Sequence, residues 1–96
     1  MKIKVRGYLT FREVLEQISL QEFEGVDVSI IDLLNRLSIQ LGEEFSRLIF
    51  ESDSRDINSS IAILINGIHY SHLPKRLDTR LKDGDEVSIF PPIAGG

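Results

Sequence analysis

Apolar and polar residues alternate from the first positions of the chain. In Lys2–Arg6, Ile3 and Val5 face one way, and Lys2, Lys4 and Arg6 the other. A period of two predicts a strand with one buried face. The stretch from Leu9 to Gly25 is ambiguous: Phe11, Val14, Leu15 and Ile18 fit a helical stripe, while Ile18, Leu20 and Glu22 fit an alternating strand. We read a short turn-like connection there, followed by a strand near 16–24. The next pattern is clearly helical. Ile30, Leu33, Leu34, Leu37 and Leu41 share one helix face. Ser29 suits the N-cap, where its hydroxyl can accept from a free N–H of the first turn, and Asp32 sits three residues on, as in a capping box. Val28 and Leu33 are spaced for a hydrophobic staple, and Gly42 can end the helix in the left-handed conformation. A second, shorter helical stripe follows at Phe45, Leu48 and Ile49.

Residues 51–60 are polar and turn-rich, a surface loop. Ile61–Ile65 is a dense apolar run that predicts an interior strand. Asn66-Gly67 after it is a strong hairpin signal, because a tight turn there needs two positive φ angles. Residues 71–82 form a connection, with Pro74 barring a regular strand. Asp83-Gly84 predicts a turn and 86–90 a last strand, ended by Pro91 and Pro92. The order is strand, strand, helix, strand, strand, strand. One main helix on one face of a mixed sheet of about five strands is an α+β design. Its natural form is a β-grasp, a ubiquitin-like roll of residues 1–90, with first and last strands side by side and 91–96 as a projecting, flexible Gly-Gly tail.

Composition narrows the chemistry. The 96 residues suit one domain, 42% hydrophobic and 27% charged. A net charge of −4 argues against a nucleic-acid partner. The absence of cysteine removes disulfides, thiolate metal sites and a cysteine nucleophile. No apolar run approaches a membrane span, and the first residues carry no signal-peptide pattern, so we expect a cytoplasmic protein with no membrane partner. His69 and His72 lack companion ligands, and no metal site is expected. Ser52, Ser54, Ser59 and Ser60 show no nucleophile spacing. The carboxylates Asp83, Asp85 and Glu86 read as turn residues, and Glu13, Glu16, Glu22 and Glu24 as a solvated acidic face.

The unusual feature is the ending Phe90-Pro91-Pro92-Ile93-Ala94-Gly95-Gly96. Two prolines favour an extended base, and residues 91–96 can reach on the order of 20 Å at ~3.3 Å per residue. Without Cβ atoms, Gly95 and Gly96 could pass a narrow tunnel. The group delivered would be the Gly96 carboxylate. With an ordinary pKa of about 3.3–3.7 it is ionised at neutral pH and a poor electrophile. It needs activation, for instance as a mixed anhydride with AMP. The chain has no phosphate-binding loop, so the activating enzyme must be a partner.

The segment "LKDGDEVSIFPPIAGG" resembles the C-terminal signature of the MoaD/ThiS family of ubiquitin-like sulfur carriers, and its Phe-Pro-Pro-x-x-Gly-Gly form is more similar to the MoaD branch. The resemblance extends to the charged first strand, the "FREVL" segment, the capped helix and the "ILING" hairpin. It implies a non-catalytic carrier that binds no cofactor itself. An E1-like adenylyltransferase, MoeB-like, would use ATP to adenylate Gly96, and sulfur transfer would make a thiocarboxylate. Gly95, Ala94 and Ile93 would thread, and Phe90, Pro91 and Pro92 would dock on a MoaE-like large subunit of molybdopterin synthase. Three alternatives stand beside it: a ThiS-type carrier for thiamine thiazole synthesis, a protein modifier forming isopeptides through Gly96, and a ubiquitin-like binding module with an idle tail.

Overall fold

The computed structural model describes residues 1–16, 19–25, 27–51 and 56–91. Strand β1 (Lys2–Gly7) buries Ile3 and Val5 and exposes Lys2, Lys4 and Arg6, as the alternation requires. It feeds α1 (Thr10–Glu16) and then β2 (Leu20–Glu22), which returns antiparallel to β1. The long helix α2 (Ile30–Leu41) follows, then α3 (Glu43–Ile49), the hairpin β3 (Ala62–Ile65) and β4 (Ile68–His69), and β5 (Glu86–Phe90). Short 3₁₀ helices at Tyr70–His72 and Arg76–Asp78 occupy the connection that Pro74 keeps from pairing.

The sheet order is β2-β1-β5-β3-β4. The first and last strands lie side by side and run parallel, with Val5 beside Val87 and Gly7 beside Ile89. On its other side β5 runs antiparallel to β3, with Ala62 beside Phe90. This is the β-grasp architecture. Its central strand β5 buries Val87, Ser88 and Ile89 in succession.

α2 lies where its stripe requires. Ile30, Leu33, Leu34 and Leu37 are wholly buried in one apolar cluster with Ile3, Val5, Ile63, Val87 and Ile89. Each such side chain contributes roughly 1.5–3 kcal/mol of burial free energy. The capping box is complete: Asp32 N–H donates to Ser29 Oγ at 3.2 Å, and Ser29 N–H to Asp32 Oδ2 at 3.0 Å. Hydrogen bonding by the Ser29 backbone, then by its side chain, holds the Asp32 carboxyl below its ordinary value of 3.8. Gly42, at φ +87°, closes the helix through its N–H to Ser38 O.

Three expectations change. Residues 10–16 form a helix rather than a turn-like connection, with Phe11 and Leu15 buried. The second strand is Leu20–Glu22 rather than 16–24, and its faces are reversed: Leu20 and Glu22 are exposed and Gln21 is buried opposite Ile3. In α3, Phe45 and Ile49 are buried but Leu48 is exposed. Ile18 lies outside the described residues.

Asn66 and Gly67 take φ of +51° and +87°, as the hairpin requires. Asn66 does more than turn the chain. Its N–H donates to Glu86 O, its Nδ2 to Asp85 Oδ1, and its Oδ1 accepts from Glu86 N–H. The turn carboxylates are also engaged: Asp83 Oδ1 accepts from Lys2 N–H and Asp85 Oδ2 from Lys82 N–H, both at 2.7 Å. Together these bonds fix the entry of β5.

Candidate functional site

The candidate site is the exit of β5. Phe90 ends the strand with Ala62 of β3 on one side, while Tyr8 N–H donates to Ile89 O at 3.0 Å on the other. The chain therefore leaves the middle of the sheet, held by both neighbours. The Phe90 ring stacks on Tyr8 with centroids 4.2 Å apart and planes 8° from parallel. Pro91 is buried. Of the residues expected to dock, Phe90 and Pro91 meet at this junction. Pro92, Ile93, Ala94, Gly95 and Gly96 lie outside the described residues, as does the expected projection of the tail.

Charge surrounds the stack. Arg6 Nε lies 3.4 Å from Glu86 Oε1. The Arg6 guanidinium is held above its ordinary pKa, first by a hydrogen bond with the Tyr8 side chain and then by Glu86. A groove of about 460 Å³ runs alongside, bordered by Arg6, Tyr8, Leu9, Arg12 and Glu16 among others. Leu9, the residue before α1, has φ +54° and is 66% exposed. A left-handed conformation costs a side-chain-bearing residue about 1–2 kcal/mol.

The other residues weighed in the sequence do not converge here. His69 stacks on Tyr70 at 4.7 Å, and its Nδ1 accepts from Ser71 N–H at 3.1 Å. No group of three or more His, Cys, Asp or Glu is placed to hold a metal among the described residues. Glu13 and Glu16 lie on α1, and Glu22 pairs with Lys2 at 3.7 Å on β2. Ser52 and Ser54 lie outside the described residues. No helix among the described residues is long and apolar enough to cross a membrane. Tyr8, the partner of Phe90, was not among the expected site residues. The available signal was topological: a parallel first and last strand puts the residue after β1 beside the end of β5.

Fold and exit together define a class: a ubiquitin-like β-grasp domain whose C-terminal segment leaves from the central strand. The description of the ThiS family matches residues 8–96, and the chain belongs to that family of ubiquitin-like small modifiers and sulfur carriers, the ThiS/MoaD group. It is 35% identical over 96 residues, the whole of both chains, to small archaeal modifier protein 3 of Haloferax volcanii. The solution structure of small archaeal modifier protein 1 from Methanosarcina acetivorans is similar at TM-score 0.74 and 31% identity, over 99% of this chain and 96% of that one. A Pyrococcus furiosus protein assigned as subunit 1 of a molybdopterin converting factor is similar at TM-score 0.67 and 27% identity, over 97% of this chain and 99% of that one.

Proposed function

We propose that the chain is a sulfur carrier whose working group is the Gly96 carboxylate. An E1-like, MoeB-like enzyme joins that carboxylate to the AMP of ATP and releases pyrophosphate. A hydrosulfide equivalent then displaces AMP and leaves a thiocarboxylate. In the reading we favour, a MoaE-like large subunit takes the sulfur for molybdopterin. The chain itself supplies no catalytic group; it supplies an acyl group on an arm whose base, at Phe90 and Pro91, is held by the sheet.

The observation that carries this reading is the anchored exit. A reactive terminus is useful when its base is positioned, and Phe90 and Pro91 are held between β1 and β3 by pairing, stacking and burial. The residues beyond have the composition for threading: Gly95 and Gly96 narrow the end, and Ile93 and Ala94 precede them. The similarity to the Pyrococcus protein supports the molybdopterin branch. Deleting Gly96 should abolish AMP attachment by the E1-like enzyme while the melting temperature stays unchanged. A chain lacking Gly96 that still accepts AMP refutes the reading.

A second reading has its own support, the full-length similarity to a protein named as a modifier. There a lysine ε-amine displaces AMP and forms an isopeptide. Higher-mass conjugates in lysate that vanish on deletion of Gly96 would favour it.

A further inference from the structure

Leu9 breaks a local rule at the root of the tail. The fold demands its backbone conformation. Gly7 lies so close to α1 that a Cβ there would stand 2.9 Å from Leu15 Cδ1 and closer still to the Phe11 carbonyl. The chain must reverse at once, and Phe11 N–H donates to Tyr8 O at 3.1 Å and Arg12 N–H to Leu9 O at 3.0 Å. The fold does not demand leucine. Glycine or asparagine takes a positive φ with less strain, and a side chain 66% exposed gains little from burial within its own chain. A strained, exposed leucine is an outlier from which a function can be argued.

Its position says which function. Tyr8, the preceding residue, is bonded to Ile89 and stacked on Phe90, so a protein that docks at Phe90 and Pro91 meets the turn that carries Leu9. Arg12 borders the same groove and has no ion-pair partner among the described residues. In a chain of net charge −4, a cation beside an exposed leucine suits a partner with an apolar socket edged by carboxylate.

We propose that Leu9 is an anchor for the adenylating partner: its side chain enters an apolar socket on that enzyme, a carboxylate beside the socket meets Arg12, and the tail enters the active site. The proposal rests on the carrier reading above.

The test is Leu9→Asn in the full chain, assayed with the organism's own E1-like enzyme, ATP and labelled pyrophosphate. Asparagine relieves the strain and removes the apolar side chain. The melting temperature should rise, by about 4 °C for a chain of this size. The KM for the carrier should rise about fivefold or more, as for loss of an interface anchor, with kcat unchanged. Leu9→Met, which keeps an apolar side chain, should restore the wild-type KM. An unchanged KM in Leu9→Asn overturns the anchor and leaves the carrier reading intact. A melting temperature below wild type also overturns it, because the side chain would then serve the fold. A wild-type chain that supports no exchange sinks the carrier reading, and the anchor with it.

Discussion

The rings of Tyr8 and Phe90 lie 4.2 Å apart and within 8° of parallel. They join the end of β1 to the end of β5 at the point where the chain leaves the sheet. The pair is half-buried, so its value lies in direction as much as in stability. A double-mutant cycle with Tyr8→Leu and Phe90→Leu, read by urea unfolding, should give a coupling of about 0.5–1.5 kcal/mol. A coupling near zero would mean that the rings touch without holding each other.

Gly7 is a tighter constraint than its place in a strand suggests. A Cβ there meets the Phe11 carbonyl and Leu15. Backbone cannot swing aside as a side chain can, so Gly7→Ala should destabilise by at least about 1–3 kcal/mol. Chemical denaturation checks it, and an unchanged midpoint would show that β1 and α1 can separate freely.

Ser29→Ala removes one half of the capping box and should cost about 1 kcal/mol. It should also change the acid limb of the stability profile. The Asp32 carboxyl sits below 3.8 in the folded chain because Ser29 bonds its ionised form. A lowered folded pKa gives a stabilisation that is fully present above the unfolded value and is lost as pH falls through the folded one. Between about pH 5 and pH 2, then, wild type should lose somewhat more stability than Ser29→Ala, which keeps the larger backbone bond to Asp32 and loses only the side-chain one, while Asp32→Asn, with no carboxyl to titrate, should lose least. An acid limb in Asp32→Asn as steep as that of wild type would assign the loss to other groups.

Leu34 tests the core. It is wholly buried on the α2 face that meets the sheet's apolar cluster. Leu34→Ala should cost about 2–5 kcal/mol, while Ile39→Ala, at 85% exposure on the same helix, should cost under about 0.5 kcal/mol. Equal effects in thermal melts would contradict the placement of the helix.

Much of this architecture was legible because local chemistry and tertiary packing agree. Ser29 and Asp32 mark the start of α2 whatever it packs against. Asn66-Gly67 turns the chain with or without β5 beside it. The segment after β1 was not legible. Helix α1 spans only Thr10–Glu16 and is preceded by Leu9, which offers no capping oxygen. A helix that short depends on packing for its stability, here on Gly7 admitting Phe11 and Leu15. In β2, the pairing of Gln21 with Ile3 fixes which side faces in, and Leu20 is left outside. Single-sequence periodicity cannot see a register set by a partner strand. At the exit, residue types alone mark Phe90 and Pro91 as a base, whereas the roles of Tyr8 and Leu9 depend on β1 and β5 lying side by side.

The central claim is that Gly96 is the working group. The most direct measurement is the intact mass of the chain isolated from its own cells without a C-terminal tag, with a second sample incubated in fresh lysate with ATP and sulfide. The carrier account predicts a species heavier by one oxygen-to-sulfur exchange, localised to Gly96 by fragmentation. A chain of unmodified mass in both samples would contradict it.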